Sequence, residues 1–336
     1  MKWMILLAAA LSLAITACSG FVFVPWLHKI KCGQPIKEIG PTWHKKKSGT
    51  PTMGGIMFIS GVLVSMAVLA LLVTQRYPDL TPDLPETAVA TRRLILGIAA
   101  ALLFSAVGFI DDYLKVVRHN NAGLRGWYKI FLQVAIAGAY LASLAIWGGQ
   151  TTTAFFPFLG TADLGIFYWV LSMLMIVGVV NAVNLTDGLD GLNSSVTAVA
   201  SVSLTVIAVL RGQFGFSLFA AAVAGGCIGF LFWNFYPAKV MMGDTGSMFL
   251  GGAVIALAYG LDLPVILVFV GIIYFCEAAS DILQVCYFKL THGKRIFKMA
   301  PIHHHFEMCG LNEIQIGCLF CAVGVIGGVL AIVSVA

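Results

Sequence analysis

Ten runs of predominantly apolar residues, each near the length that crosses a bilayer, divide this chain. They fall at 3–26, 54–74, 93–111, 129–147, 165–183, 195–210, 214–233, 247–261, 264–284 and 314–335. A helix rises about 1.5 Å per residue and the hydrocarbon layer is about 30 Å thick, so roughly 20 apolar residues make one span. Backbone polar groups in hydrocarbon are satisfied only inside helices or closed barrels, and runs of this length select helices. Composition agrees, with 10% charged residues in a chain that is 60% hydrophobic, where soluble domains carry about 25% charge. The expected fold class is an all-α polytopic membrane protein of about ten transmembrane helices. No segment has the length or polarity of a separate soluble domain, so residues 1–336 read as one integral-membrane domain.

The first run needs a separate decision. Lys2, the apolar stretch after it and Ile15-Thr16-Ala17-Cys18 resemble a lipoprotein signal with its modified cysteine. The apolar run continues, however, through Phe21, Val22, Phe23 and Val24 to Trp26, longer than a signal core. A retained first helix is expected. The eight cysteines are scattered and mostly apolar in context. Cys318-Leu-Phe-Cys321 has redox spacing but no polar neighbours, so packing is its expected role.

Charge placement orients the helices. Connections after odd-numbered runs hold fifteen basic residues: Lys29, Lys31, Lys37, Lys45, Lys46, Lys47, Lys115, Arg118, Arg125, Lys129, Lys239, Lys289, Lys294, Arg295 and Lys298. The opposite side holds five: Lys2, Arg76, Arg92, Arg93 and Arg211. That side also carries the acidic, proline-rich segment from Tyr77 to Glu86. The positive-inside rule puts the richer side in the cytoplasm and both termini outside. External connections are short turns, except Gly148 to Gly165, which has the makings of a small hairpin.

The unusual polar sequence gathers in five cytoplasmic loops. In the second, Asp111-Asp112 ends an apolar run, with Lys115 three positions on. An Asp at mid-bilayer costs about 2.5–3.5 kcal/mol, and an unrelieved pair adds repulsion, so the pair belongs at the boundary beside a cation. A solvated helix end is the plain alternative. The first loop, His44-Lys45-Lys46-Lys47-Ser48-Gly49-Thr50-Pro51-Thr52-Met53-Gly54-Gly55, brings ammonium groups, hydroxyls and a helix N-terminus to one place. This suits a phosphate, although a basic cluster that sets topology would also explain its lysines. The third loop offers Asn181, Asn184, Asp187, Gly188, Asp190 and Asn193 with no basic residue. Such a segment suits a base, a sugar or an oxygen-ligated metal, and the spacing excludes an EF-hand. The fourth holds Asn234, Lys239 and Asp244 between glycines; the fifth holds Lys294, Arg295, Lys298 and His303-His304-His305. Three successive histidines diverge on any regular element, so phosphate or sugar contact, or acid–base work, is expected above zinc. The five carboxylates Asp111, Asp112, Asp187, Asp190 and Asp244 beside phosphate-binding elements point to Mg²⁺-assisted phosphoryl transfer at a cytoplasmic membrane face, with a lipid as one substrate.

Five motifs in this order carry a resemblance to a family. They are Lys-x-Gly-Thr-Pro-Thr-Met-Gly-Gly at 47–55, Asp-Asp-Tyr-x-Lys at 111–115, Asn-x-x-Asn-Leu-Thr-Asp-Gly-Leu-Asp-Gly-Leu at 181–192, Met-Gly-Asp-Thr-Gly-Ser at 242–247 and Ala-Pro-Ile-His-His-His-Phe-Glu at 300–307. The chain resembles the polyprenyl-phosphate N-acetylhexosamine-1-phosphate transferases, and its last motif is similar to the branch using a phospho-MurNAc-pentapeptide donor. The resemblance implies ten transmembrane helices, frequent homodimerisation, a Mg²⁺ requirement and a place in the bacterial cytoplasmic membrane. It implies transfer of phospho-MurNAc-pentapeptide from UDP-MurNAc-pentapeptide to undecaprenyl phosphate, giving lipid I and UMP in peptidoglycan synthesis. By the same resemblance Asp244 is a Mg²⁺ ligand, Asp111 and Asp112 are essential, with Asp111 as base or nucleophile, and His303 is catalytic. Asn184, Leu185, Asp187, Gly188 and Asp190 line the uridine site. Lys47, Thr52, Lys115, Asn181, Asn234, Ser247, Gln284, Ala300, His304 and His305 complete the cleft, and Gln284 falls where the ninth helix is expected to bend. Met241 stands where the family pattern has an aromatic residue, so a sulfur contact replaces a ring there. No nucleic-acid partner is expected.

Rival classes make different demands. A transporter of nucleotide sugars or cations places polar residues at the midplane of repeated halves. Here charge gathers at helix ends and no internal repeat is visible. A structural scaffold has no need of the acidic loops. A relative transferring GlcNAc-1-phosphate is the nearest alternative within the enzyme class.

Overall fold

The computed structural model describes residues 2–30, 49–76, 85–118 and 123–336. Among them, twelve α-helices and one hairpin follow in order: α1 (Lys2–Lys29), α2 (Gly55–Arg76), α3 (Pro85–Val117), α4 (Gly126–Trp147), β1 (Thr153–Phe156), β2 (Gly160–Asp163), α5 (Ile166–Thr186), α6 (Leu192–Leu210), α7 (Phe214–Asn234), α8 (Gly243–Gly260), α9 (Leu267–Val270), α10 (Ile272–Leu290), α11 (Ile302–Met308) and α12 (Glu313–Val335). The basic cluster of the first loop, Lys47 included, lies outside the described residues, as does most of the acidic, proline-rich segment.

The core is organised around α8, which is buried at every residue except Asp244. Small residues make this possible. A Cβ added at Gly252 would lie 2.7 Å from Ala101 Cα, one at Gly251 2.9 Å from Val180 Cα, and one at Gly246 2.8 Å from Gly55 Cα. Helices α3, α5 and α2 therefore approach α8 backbone to backbone, as small residues allow inside lipid. Gly97 lies against Ala256 and Gly108 against Asp244, so α3 and α8 run antiparallel. One end of this pair carries Asp111, Asp112 and Asp244. At the other, Arg93 Nε donates to Gly148 O at 2.6 Å and its guanidinium lies 4.0 Å from Asp262.

Large apolar side chains face outward on many helices, among them Leu6, Phe21, Leu71, Ile95, Ile146, Leu174 and Ile326. A water-soluble surface rarely carries so much contiguous apolar area, and a lipid-facing one requires it. Eight described helices are long and apolar enough to span a membrane, or nine if one bent pair counts as a single span. The chain is a multi-pass, all-helical membrane protein.

The expected segments mostly become helices, with three physical differences. α8 is a helix where one was expected, but it is not among those long, apolar spans; glycine and Asp244 dilute it, and neighbouring helices shield it. Residues 264–284 do not form one straight helix. Pro264–Ile266 is a 3₁₀ turn, α9 is a single turn, and α10 leaves at 84° after Gly271. The bend thus lies at Gly271, not near Gln284, which sits inside the continuous helix α10. Finally, α3 continues past the apolar run to Val117, so Asp111, Asp112 and Lys115 share one rigid helix. The hairpin between Gly148 and Gly165 is present, with Thr153 paired to Asp163 and Phe156 to Gly160.

Candidate active site

Asp111 and Lys115 lie one helical turn apart on α3, with Lys115 Nζ 2.6 Å from Asp111 Oδ2. The same ammonium is 3.1 Å from Asp244 Oδ2 and 4.0 Å from Asp112 Oδ1. Lys129, on the first turn of α4, reaches Asp244 Oδ2 at 2.7 Å. Just before α4, Leu124 N–H donates to Asp111 Oδ1 at 2.7 Å. The three carboxylates and two ammonium groups are all well shielded, Asp112 completely. Fully ionised, they leave one negative charge in excess.

Asp112 plays a different part. Its Oδ1 accepts from Asp244 N–H at 3.1 Å, and its Oδ2 from Thr245 N–H at 2.9 Å and Thr245 Oγ1 at 2.7 Å. These amides open α8, where unsatisfied N–H groups and the helix dipole favour an anion. Asp112 is a cap supplied by another helix, and it fixes Asp244 at the mouth of the cluster. Gly243 makes room for this. Its φ of +70° belongs to the left-handed region, and a Cβ there would meet Asp112 Oδ2 at 2.5 Å and Thr52 Oγ1 at 2.6 Å. Thr52 is accordingly buried beside Asp112. Pro51 O accepts from Met241 N–H, and Met241 O from Gly54 N–H, so two backbone hydrogen bonds tie the first loop to the fourth.

The third and fourth loops are stapled together. Asn234, buried at the end of α7, accepts from Gly191 N–H and Ser194 Oγ at 3.2 Å and donates to Val240 O at 2.9 Å. Its amide lies 3.9 Å from Met241 Sδ. Asp190 Oδ2 accepts from Ala238 N–H, and Asp190 N–H donates to Glu313 Oε2, each at 2.9 Å. Ser247 Oγ donates to Gly243 O within α8. Asn181 exchanges hydrogen bonds with Gln133, a fully buried residue of α4. Asn184 Nδ2 is buried with no hydrogen-bond partner among the described residues, and Leu185 is partly exposed. Asn234, Asp190, Asn181 and Ser247 thus bond to protein groups that position the loops, while Asn184 keeps donor capacity for a ligand.

The fifth loop is held by Gln284. Its Oε1 accepts from Ile296 and Phe297 N–H, and its Nε2 donates to Phe297 O, all at 3.0 Å. Ala300 and Pro301 then lead into α11, which carries the histidines. The rings of His303 and His304 lie side by side, 4.1 Å between centroids, while His305 packs on Phe297, so the three do not converge on one point. His303 Nδ1 is 2.9 Å from Glu277 Oε2 of α10, and His304 Nδ1 is 2.7 Å from Glu307 Oε2. His305 Nδ1 accepts from Lys298 N–H at 3.1 Å. A Cβ added at Gly188 would lie 2.2 Å from His303 Nε2, so this ring packs directly on the third loop.

Among the described residues, Asp111, Asp112 and Asp244 form the one group of three or more potential ligands able to hold a metal ion, with ligand atoms within 4.8 Å of one another. Ligands on one Mg²⁺ lie at about 2.1 Å from it, hence at most about 4.2 Å apart, so a small closure suffices. An all-oxygen, anionic donor set suits a hard cation, and Asp111 and Asp244 are the two not committed to capping α8. The residues fit a divalent metal.

Sequence reasoning passed over Lys129 as a site residue, counting it only as a topology charge. It missed Gln133, which nothing in its local pattern distinguishes. It also missed Glu277, although an ionisable residue inside an apolar run is itself a signal.

Comparison with known proteins gives the family. The family profile of glycosyl transferase family 4 matches residues 94–262. A phospho-N-acetylmuramoyl-pentapeptide-transferase signature matches residues 47–59. The phospho-N-acetylmuramoyl-pentapeptide-transferase of Desulfitobacterium hafniense is 42% identical over 347 aligned positions, covering 98% of this chain and 97% of the relative. Those of Listeria monocytogenes serotype 4b and Shouchella clausii are 41% and 40% identical, covering 98% of this chain and 98% and 97% of their own. This chain belongs to the phospho-N-acetylmuramoyl-pentapeptide-transferase family of membrane-embedded enzymes.

Proposed function

We propose that residues 1–336 act as one membrane domain that transfers phospho-MurNAc-pentapeptide from UDP-MurNAc-pentapeptide to undecaprenyl phosphate, giving lipid I and UMP. The reaction takes place on the cytoplasmic face of a bacterial cytoplasmic membrane. The observation that carries this reading is the buried cluster of Asp111, Asp112, Asp244, Lys115 and Lys129 in a chain of this family.

Two anionic substrates must meet, and their phosphates repel. Lys115, which bridges Asp111 and Asp244, and Lys129, which pairs with Asp244, neutralise the incoming diphosphate. Asp244 would hold Mg²⁺ beside Asp111 and Asp112, and the bound ion would supply charge neutralisation for the departing UMP. A lipid phosphate oxygen attacks the phosphorus bearing the sugar, and the bond from that phosphorus to the UMP oxygen breaks. Asp111 is the base that takes a proton from the lipid phosphate. Asn184, Asp187, Gly188 and Asp190 form the uridine side of the cleft, with Met241 in the fourth loop, and His303 touches the donor.

The test uses purified protein in detergent with undecaprenyl phosphate, Mg²⁺ and a panel of UDP-sugars, following UMP release. UMP from UDP-MurNAc-pentapeptide alone, abolished by EDTA, is the expected result. UMP from UDP-GlcNAc instead, or from no donor in folded protein, contradicts the proposal.

A further inference from the structure

Glu277 is fully buried in α10, and no sequence motif of the site includes it. A carboxylate in such surroundings is costly unless it is paired. Among the described residues its hydrogen-bond partner is His303 Nδ1, at 2.9 Å, and its Oε1 has none. His303 is itself 1% exposed, so the contact is shut off from solvent. A carboxylate can only accept, so this contact places a proton on Nδ1 and turns Nε2 toward the other side of the ring. That side is the third loop: Nε2 lies where a Cβ on Gly188 would sit, and it has no hydrogen-bond partner among the described residues. The ring cannot turn freely, being packed on Gly188 and 4.1 Å, centroid to centroid, from His304.

We infer that Glu277 is a positioning residue for the transfer reaction: it fixes the orientation and tautomer of His303 so that Nε2 is presented to the donor bound along the third loop. The inference rests on the proposed function for the identity of the donor, but not for the geometry. The arrangement is that of a carboxylate behind a histidine in acyl-transfer enzymes, where the carboxylate orients the ring and never meets the substrate. It also gives the break at Gly271 a use. By leaving at 84°, α10 carries Glu277 along the side of the bundle where α5 ends and α11 begins.

The test combines kinetics with a tautomer measurement on the full-length protein. Glu277→Gln can turn either an acceptor or a donor toward Nδ1, so it loosens the tautomer while keeping the shape. It is expected to lower kcat/KM for the UDP-linked donor by about tenfold or more, the low end of what a positioned proton-transfer group contributes. In a His303→Ala background the same change is expected to cost less than about twofold. Glu277→Asp is expected to recover part of the loss. An equal loss in both backgrounds, or none in the wild type, overturns the inference.

Nitrogen-15 histidine spectra, with His303 assigned by comparison with His303→Asn, give a readout independent of turnover. A protonated Nδ1 in the wild-type protein, lost in Glu277→Gln, supports the positioning role even if the donor is misidentified. An unprotonated Nδ1 in the wild type overturns it. Failure of the wild-type protein to release UMP from any donor would instead count against the proposed function alone.

Discussion

Asp111 and Asp112 are neighbours in the chain, yet they serve different ends, because successive helical side chains point about 100° apart. Asp111 faces Lys115 and the Gly123–Leu124 backbone; Asp112 faces the first turn of α8. The two should separate on mutation. Asp112→Ala strips Asp244 N–H, Thr245 N–H and Thr245 Oγ1 of their shared acceptor in a buried site. At about 1.5–3 kcal/mol for a hydrogen bond to a charged group, destabilisation of about 3 kcal/mol or more is expected. It should appear as a clearly lower melting temperature in detergent. Asp244→Ala removes no cap but leaves Lys129 without its carboxylate, so a smaller drop in melting temperature than that of Asp112→Ala is expected while turnover is lost. Equal melting temperatures for Asp112→Ala and wild type would contradict the capping role. Adjacency of the carboxylates was legible in the sequence, as was the need for a cation. Which carboxylate caps a helix was not, because the partner amides lie more than a hundred positions away.

At the scale of elements, the account depends on how closely α3 and α8 approach. Gly108 is the contact nearest the chemistry, since a Cβ there would lie 2.1 Å from Asp244 O. Gly108→Ala must therefore push α8 away and carry Asp244 off Asp111 and Lys115, lowering both stability and transfer rate. Gly126→Ala, at the start of α4, meets no described atom within 4 Å and serves as the control expected to leave both unchanged. If Gly108→Ala behaved like Gly126→Ala in melting and UMP-release assays, the close packing described here would be wrong. Helix positions were readable from apolar runs because lipid imposes their length. The break at Gly271 was not, since Val270 and Ile272 continue an apolar run that hides a change of direction. Glu277 sat in that same run, and taking the run as one uniform span obscured the single charge that the bend brings against His303.

For the whole molecule, the orientation proposed from the distribution of basic residues has the acidic cluster and the histidine helix facing the cytoplasm. Cys309 follows α11 and is exposed, so it reports the side on which that helix lies. In a variant keeping Cys309 as its only cysteine, a membrane-impermeant maleimide should label inverted vesicles and not intact cells. Labelling of intact cells would reverse the topology and remove the cytoplasmic donor from reach. What sequence could not supply at this scale is the assembly of loops. The site joins loops from five places in the chain, held by residues such as Gln133, Asn234 and Gln284 whose partners Asn181, Gly191 and Ile296 lie 48, 43 and 12 positions away.

Asp244, kept in place by Asp112, is the proposed ligand of the metal that the transfer requires. The most direct test is an electron paramagnetic resonance titration of Mn²⁺, as a probe for Mg²⁺, into the purified protein. One Mn²⁺ site per chain is expected, displaced by Mg²⁺, and lost in Asp244→Asn while that variant stays folded. Binding of Mn²⁺ to Asp244→Asn with undiminished affinity would contradict it.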